Sequence, residues 1–339
     1  MADFVRLTIA WYTENSRDLP WRSTKNPYFI WLSEVILQQT RVDQGRKYYE
    51  NFTKSYPSVN DLAKADEENV LKLWQGLGYY SRARNLHKTA QIIANDYKGQ
   101  FPNDYKQILQ LKGIGPYTAA AIASFAFDLP HAVVDGNVYR ILSRYFGIDL
   151  AIDSTAGKKA FQALADSLIP SDNAAIYNQA IMEFGALQCT QNNPNCSNCP
   201  LFESCDSGRS QLYLQRPVKE KKTKVTKRYF HYFHFESATG TAIKKRSNEG
   251  IWENLYEFPL IETLEKSLDN KLLTDKTIQP VLLFETKHIL SHQHIYAHFY
   301  RVKQMPTSLE FEVVDQLKMH DLPMHRLMEK YFEHISSGK

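Results

Sequence analysis

Apolar side chains recur at helical spacing through the first part of the chain. Phe4, Leu7 and Trp11 fall at i, i+3 and i+7, and a similar stripe runs from Ile176 to Phe184. Long alternations of β-branched residues, which are typical of strands, do not occur before residue 210. The pattern therefore predicts a mainly α-helical domain over residues 1–210.

The pattern changes in the last third of the chain. Residues 228–235 and 294–300 alternate as strands with one buried face, and residues 327–335 form an amphipathic closing helix. A smaller α+β domain is predicted over residues 228–339. Residues 211–227 between the domains are basic and lack an apolar stripe, which predicts a linker. This linker is either a solvated tether or a strap that contacts phosphates.

Composition excludes several classes of protein. The 339 residues are 43% hydrophobic and 13% aromatic, enough to bury the cores of two domains and too much for a disordered chain. The chain lacks an apolar run of about 20 residues and an N-terminal signal peptide, so we expect a cytoplasmic protein without a membrane partner. A net charge of +4 permits a nucleic-acid partner but does not require one.

The cysteines are concentrated in one loop. All four lie between residues 189 and 205 with the spacing C-x6-C-x2-C-x5-C; they are Cys189, Cys196, Cys199 and Cys205. Four thiolates in one loop are able to hold an iron–sulfur cluster or a structural zinc ion. Zinc usually takes two short C-x2-C pairs and only one is present, so the spacing favours the cluster.

Two glycines separate a pair of predicted helices within residues 105–127. Gly113 and Gly115 allow a backbone to approach a ligand closely, and Pro116 begins the second helix. The N-terminus of that helix would present free N–H groups to a phosphate. A plain helix C-cap followed by a turn explains the same glycines.

Two carboxylic acids have unusual surroundings. Glu34 lies within an apolar helical run and has no basic neighbour between residues 28 and 40, so burial would raise its pKa and suit it to general acid catalysis. Asp135 follows an apolar run and would stabilise positive charge in a cleft. The alternatives are a solvent-facing glutamate and an ordinary helix N-cap.

These features, in this order, carry a family resemblance over residues 19–205. The matching stretches are LPWR (19–22), SEVILQQTRV (33–42), WQGLGYYSRARN (74–85), LKGIGPYTAAAI (111–122), VVDGNVYR (133–140) and NQAIMEFGALQC (178–189). They resemble the adenine DNA glycosylases, the MutY family of helix–hairpin–helix iron–sulfur glycosylases. The hairpin usually reads L-P-G-V-G in that family, and Lys112 replaces its proline here.

The resemblance implies a monofunctional enzyme of base excision repair. It would flip adenine, mispaired with 8-oxoguanine or guanine, out of duplex DNA and hydrolyse its glycosidic bond. Glu34 would be the general acid and Asp135 would stabilise the oxocarbenium-like sugar. Tyr117 and Asn137 would position these groups. The resemblance also implies a monomer that carries a 4Fe–4S cluster on the four cysteines.

Recognition residues are implied by the same resemblance. Trp21, Arg22 and Gln179 would contact the adenine. Gln39 and Tyr79 would fill the duplex beside the lesion, and Gly113 and Gly115 would contact its backbone. GIWENLYEFP (250–259) and HILSH (288–292) resemble the Nudix-like domain of the family, in which Leu290, Ser291 and His292 would recognise 8-oxoguanine. No R-E-x-x-E-E run follows Gly250, so pyrophosphate hydrolysis is not expected.

Two rival functions share parts of this pattern. An endonuclease III-type glycosylase/lyase has the same hairpin and cysteine spacing but carries a nucleophilic lysine where Tyr117 stands here. A non-catalytic iron–sulfur DNA-binding protein would need neither Glu34 nor Asp135. Both acids are present in matching context, and the phenol of Tyr117 cannot form an imine. The sequence therefore favours the monofunctional glycosylase.

Overall fold

The computed structural model describes residues 2–220, 224–247, 250–268, 278–306 and 308–338. The chain forms two compact units. The first comprises Met1–Lys64 and Lys88–Lys221, and the second comprises Ala65–His87 and Lys222–Lys339. The predicted fold class, a mainly α N-terminal domain followed by a smaller α+β domain, is confirmed.

The first unit is built from helices. They are α1 (Ala2–Asn15), α2 (Pro27–Leu37), α3 (Val42–Ser55), α4 (Val59–Lys64), α7 (Tyr105–Gln110), α8 (Pro116–Phe127), α9 (Gly136–Phe146), α10 (Thr155–Leu168), α11 (Ala174–Leu187) and α12 (Asp206–Ser210), together with the second half of α6 (Ser81–Asp96). Phe4, Leu142, Phe161 and Phe184 are at most 1% exposed in its main core. The apolar stripes predicted for α1 and α11 thus face this core.

The helix–hairpin–helix forms as predicted. Asp104 begins α7 by accepting a hydrogen bond from the N–H of Gln107 at 3.0 Å. Gly113 has φ +77°, a left-handed conformation that a side chain would strain, and Gly115 is the N-cap of α8. The tight turn between the two helices therefore depends on glycine at position 113.

The start of the predicted linker packs against the first unit. Arg216 is only 6% exposed and its guanidinium contacts Asp149 at 2.7 Å and Asp206 at 2.5 Å. The N–H of Ile152 donates to the carbonyl of Val218 at 3.0 Å. Arg216 thus anchors this stretch to the first unit through two partly exposed aspartates, while Leu214, Lys219 and Glu220 remain exposed. Residues 221–223 lie outside the described residues, and the remainder leads into the first strand.

The second unit contains two sheets. Its elements are α5 (Glu67–Trp74), β1 (Thr226–His234), β2 (Glu236–Ser237), β3 (Gly240–Lys245), β4 (Tyr256–Glu257), β5 (Leu260–Thr263), β6 (Val281–Ile289), β7 (Gln293–Arg301), β8 (Glu312–Val314), α13 (Gln316–Asp321) and α14 (Arg326–Ser336). One sheet has the order β5-β1-β7-β6, and in the other β3 pairs with β2, β4 and β8. Helix α14 packs on the first sheet through Tyr331, whose ring stacks on Phe299 at 4.6 Å.

Residues 65–87 pack with the C-terminal half of the chain, although they lie between helices of the first unit in sequence. The ammonium of Lys72 donates to the carbonyl of His320 at 2.5 Å, and the amide of Gln75 donates to Glu329 at 2.7 Å. The hydroxyl of Tyr80 donates to the carbonyl of Met324 at 3.2 Å. The compact units therefore do not follow a single division of the chain near residue 210.

Four histidines near the hairpin tip have even numbers; they are His288, His292, His294 and His298. One continuous strand would place all four on the same face, but β6 and β7 are antiparallel strands joined by a hairpin. His288 lies on the inner face, where its ring contacts Trp252, whereas His298 on the outer face stacks on His231 at 5.0 Å. No helix within the described ranges is long and apolar enough to cross a membrane.

Candidate active site

One cavity of about 220 Å³ in the first unit gathers all the residues predicted for catalysis and adenine binding. They are Glu34, Tyr117, Asp135, Asn137, Trp21, Arg22 and Gln179. These residues come from the LPWR segment, α2, α8, α9 and α11, which are far apart in sequence. The fold therefore brings together what the sequence shows only as separate motifs.

Glu34 lies on α2 and is 7% exposed. The helix begins after Asn26, whose side chain accepts from the N–H of Tyr28, and its remaining residues are largely buried and apolar. The hydroxyl of Tyr117 donates to Oε2 of Glu34 at 2.8 Å. Burial raises the pKa of Glu34 to about 7, against the opposing effect of the Tyr117 hydrogen bond. Near neutral pH this carboxyl is therefore able to hold and release a proton.

Asp135 is both a helix N-cap and a member of the cavity. One carboxylate oxygen accepts from the N–H of Val138 at 2.8 Å, and the other accepts from the side-chain amide of Asn137 at 2.8 Å. Burial raises the pKa of Asp135, while these two hydrogen bonds favour its ionised form. The capping and catalytic interpretations of this residue are thus compatible.

Asn137 is oriented in turn by Arg140. The Nη2 group of Arg140 donates to the side-chain carbonyl of Asn137 at 2.8 Å, and its Nε donates to the main-chain carbonyl of Cys189 at 2.7 Å. Arg140 is 8% exposed, so these bonds are largely shielded from water. A continuous chain of hydrogen bonds therefore joins Asp135 to the first cysteine of the loop.

Sequence reasoning missed Glu183, which lines the same cavity. Its carboxylate is 1% exposed and contacts Arg17 at 2.6 Å and Arg22 at 2.7 Å. Burial alone would raise the pKa of Glu183, but the hydrogen bonds from the two arginines lower it to about 2. The signal that could have identified it is the one used for Glu34, a single acid within an apolar helical run.

Tyr12 was also missed. Its hydroxyl donates to Oε1 of Gln179 at 2.8 Å, and the guanidinium of Arg22 lies 5.5 Å from the centre of its ring. Tyr12 therefore contacts two of the predicted adenine-binding residues. Its place in the stripe of α1 indicated only packing.

The residues predicted to contact DNA are at exposed turns outside this cavity. Gln39 follows α2 with φ +55°, and Tyr79 precedes α6 with φ +49° and is 45% exposed. Leu290, Ser291 and His292 form the tip of the β6–β7 hairpin, closed by the N–H of Leu290 donating to the carbonyl of Gln293 at 2.9 Å. Within the second unit, the hydroxyls of Tyr79 and Ser291 are 3.3 Å apart.

The four cysteines line one recess of the first unit, and none forms a disulfide. The guanidinium of Arg144 donates to Sγ of Cys189 at 3.4 Å, and the N–H of Gly208 donates to Sγ of Cys205 at 3.4 Å. Such N–H···S bonds are typical of thiolates that ligate iron. Among the described residues, no three His, Cys, Asp or Glu side chains are arranged to share a single metal ion.

Comparison with known proteins agrees with this geometry. Residues 32–167 match the HhH-GPD superfamily base excision DNA repair proteins, and residues 231–334 match the NUDIX domain. An adenine DNA glycosylase of Buchnera aphidicola subsp. Schizaphis graminum (strain Sg) is 35% identical over 301 residues, which cover 87% of this chain and 84% of the relative.

Solved structures resemble part of the chain. A thermostable thymine-DNA glycosylase is 32% identical with a TM-score of 0.58, over 62% of this chain and 96% of that structure. A trapped endonuclease III–DNA covalent intermediate is 22% identical with a TM-score of 0.54, over 61% and 95%, and shows the fold alone. The long match to a curated relative, together with the acids gathered in the cavity, establishes that this chain belongs to the adenine DNA glycosylases of base excision repair.

Proposed function

We propose that this glycosylase removes adenine paired with 8-oxoguanine, or with guanine, from duplex DNA as a monofunctional, monomeric enzyme of the cytoplasm. The observation that carries the chemistry is the buried Glu34, whose pKa of about 7 suits a general acid, in one cavity with Asp135. Two carboxyl groups with different partners are the usual arrangement for hydrolysing a glycosidic bond.

The first step is binding of the flipped adenine. Extruding a base from the stack costs a few kcal/mol, and contacts in the cavity offset that cost. Arg22 and Gln179 supply hydrogen-bonding groups whose positions are fixed by Glu183 and Tyr12. A base held by groups that are already oriented loses less of its binding free energy to ordering.

Cleavage then depends on the two acids. Protonated Glu34 donates its proton to a ring nitrogen of adenine, which makes the base a better leaving group as the C1′–N9 bond breaks. The ionised Asp135 faces the positive charge that develops on the sugar and stabilises it. Glu34, now a carboxylate, accepts a proton from the water that adds to C1′. Tyr117 holds Glu34 throughout through its hydrogen bond.

The cavity favours hydrolysis without strand cleavage. A lyase needs an amine to form a Schiff base with C1′. The described residues that line the cavity include no lysine, and the hydroxyl of Tyr117 is engaged with Glu34. We therefore do not favour the endonuclease III-type alternative.

The hairpin tip supports recognition of 8-oxoguanine by the second unit. This base differs from guanine by a carbonyl at C8 and a hydrogen on N7, so an acceptor distinguishes it from guanine, which offers an acceptor at N7. Ser291 is exposed at the tip, and its hydroxyl oxygen is able to accept that hydrogen. Tyr79 lies beside it, at the position where the resemblance places a residue that enters the duplex.

We further propose that Cys189, Cys196, Cys199 and Cys205 hold a 4Fe–4S cluster. The shared recess, the absence of disulfides at these cysteines and the N–H···S bonds from Arg144 and Gly208 fit such a cluster. Zinc fits less well, because it usually takes two short C-x2-C pairs and only Cys196 and Cys199 form one. The bound cluster would hold the loop in one conformation, and the hydrolysis needs no electron transfer.

The test is direct. Purified protein is incubated with duplexes containing adenine opposite 8-oxoguanine, guanine or thymine, and released adenine and alkali-labile sites are measured. We expect adenine release opposite 8-oxoguanine and guanine, little opposite thymine, and no strand break before alkali. Strand cleavage without alkali would show a lyase, and equal release from all three duplexes would contradict the proposed specificity. Iron analysis should give about four irons per chain; stoichiometric zinc in protein purified without oxygen would overturn the cluster.

A further inference from the structure

The sheet β5-β1-β7-β6 has an inner face, which holds Phe230 and Phe299, and an outer face on the opposite side. The outer face is buried at one end and open to solvent at the other. At the far end from the hairpin tip, Phe233 is fully buried and packs with Val302 and Met305. Toward the tip, the alternation along β1, β6 and β7 places six side chains on the same face. We call this group the open sheet face; it consists of Lys227, Tyr229, Lys287, Ile289, His294 and Tyr296.

These side chains form two adjacent rows across the strands. Tyr229, Tyr296 and Lys287 are paired in register. Lys227, His294 and the exposed Ile289 are paired in the next row toward the tip. The two tyrosine rings stack with their centres 5.1 Å apart, and the ammonium of Lys287 lies 5.3 Å from the centre of the Tyr296 ring. The rows therefore present two stacked aromatic rings, with Lys287 beside Tyr296 and Lys227 in the next row toward the tip.

The lysines of this face remain available to solvent. Lys227 and Lys287 are exposed, and Tyr229, His294 and Tyr296 are half-buried. The inner face of the same strands is closed by contrast, since Phe230, Ile295 and Phe299 are fully buried. An aromatic surface flanked by exposed cations is suited to a polyanion with flat or apolar sugar and base surfaces.

The open sheet face continues directly into the hairpin tip. Leu290, Ser291 and His292 join β6 to β7, and the N–H of Thr226 donates to the carbonyl of His292 at 3.0 Å. Tyr296 lies four residues beyond His292, about 13 Å along the strand at about 3.3 Å per residue. That span equals about four base-pair steps of duplex DNA at 3.4 Å per step.

We propose that the open sheet face binds the backbone of the substrate duplex, within a few base pairs of the lesion. Lys227 and Lys287 contact phosphates, and the stacked tyrosines pack against the sugars between them. The inference rests on the proposed function, in which the adjacent hairpin tip contacts the lesion. It assigns to the second unit a share of duplex affinity that does not depend on base identity.

The experiment measures how binding depends on salt. The probe is a duplex with 2′-fluorodeoxyadenosine opposite 8-oxoguanine, which resists cleavage because the fluorine disfavours positive charge on the sugar. The test variant is Lys227→Ala with Lys287→Ala, and the control is Lys303→Ala, which removes an exposed cation beyond the other end of β7. Dissociation constants are determined between 50 and 200 mM salt.

Each lost phosphate contact lowers the slope of log K against log salt by about 0.9. We expect the slope of the double variant to be smaller than the parent slope by about 1.8. The ratio of the parent affinity to the variant affinity should therefore fall about 12-fold between 50 and 200 mM salt. Lys303→Ala should keep the parent slope. A parent-like slope in the double variant overturns the proposal, even if its melting temperature falls, because a purely structural role does not change counterion release.

A second set of duplexes locates the contact. Duplexes shortened on one side of the lesion or the other are compared with the full-length probe. When the duplex is shortened on the side that the open sheet face contacts, the salt slope of the parent protein should fall to that of the double variant. If the parent protein has equal slopes on all duplexes, the proposed placement is contradicted. The preference for 8-oxoguanine over guanine is measured separately, in adenine release by the same double variant. Loss of the salt effect and loss of lesion preference are thus distinguishable.

Discussion

The cavity of the first unit and the hairpin tip of the second differ in how their polar groups are satisfied. In the cavity, Glu34, Asp135 and Glu183 each accept hydrogen bonds from named partners and are shielded from water. At the tip, Ser291 and His292 are exposed, and the hydroxyl of Ser291 lies 3.3 Å from that of Tyr79.

The difference matches the role proposed for each region. Groups that stabilise a developing charge are most effective when they are oriented before the reaction begins. Groups that distinguish one base from another act by gaining or failing to gain a partner when DNA binds. The polar groups of the cavity therefore have hydrogen-bond partners before substrate binds, whereas those of the tip would gain partners from the DNA.

The largest effect should follow loss of the acid in the cavity. Glu34→Gln keeps the shape of the side chain but removes its transferable proton, so single-turnover adenine release should fall by about 10² to 10⁴. Binding to the uncleavable duplex should be retained. The control Glu50→Gln, which alters an exposed acid on α3, should keep the parent rate. Near-normal release by Glu34→Gln would contradict the assignment.

A smaller loss is expected from the second carboxylate. Asparagine is as good an N-cap as aspartate, so Asp135→Asn should leave α9 and the melting temperature nearly unchanged. The rate should nevertheless fall by about 10² to 10³, because the charge that faces the sugar is lost. A lower melting temperature with an unchanged rate would show that Asp135 serves only as a cap.

The dependence of kcat/KM on pH distinguishes the role of Tyr117. In the proposed mechanism only the protonated form of Glu34 is active, so kcat/KM should fall as pH rises through about 7. The Tyr117 hydrogen bond favours the ionised form and lowers this pKa; hence Tyr117→Phe should shift the decline to higher pH. If the decline stays where it is in the parent, Tyr117 does not act on Glu34.

The smallest effect belongs to the exposed tip. Ser291→Ala with His292→Ala should reduce the preference for adenine opposite 8-oxoguanine over guanine by about 5- to 150-fold, the equivalent of 1–3 kcal/mol for unsatisfied polar groups. The rate on the guanine-containing duplex should change little. A variant that keeps its full preference would place lesion recognition outside the hairpin tip.

The sequence pointed to residues that line one cavity because they belong to short, distinctive motifs. Glu34 was visible as an acid in an apolar run, and Asp135 as a residue before a helix. Glu183 carried the same signal as Glu34, but its two arginine partners come from a distant segment that only the fold brings near. Tyr12 was hidden in an apolar stripe, where a phenol resembles any other buried ring.

Long-range packing was the part that local pattern could not provide. The basic composition of residues 211–227 predicted a solvated tether or a strap on phosphates. Arg216 is instead buried, because two aspartates, one of them beside the cysteine loop, neutralise it. The placement of residues 65–87 depends on partners more than 240 positions away, such as His320 for Lys72. No periodicity within α5 encodes that contact.

The packing of residues 65–87 with the C-terminal half has a consequence for protein dissection. The chain enters its second unit twice. A fragment that ends at residue 220 therefore still carries Lys72, Gln75 and Tyr80, which bond to α13, to α14 and to the turn between these helices. Two separately expressed pieces, 1–220 and 224–339, should consequently assemble without a peptide bond between them. The conventional N-terminal half, produced alone, would expose a surface that its missing partner normally covers. Split-protein complementation, rather than domain truncation, is therefore the way to study the two units separately.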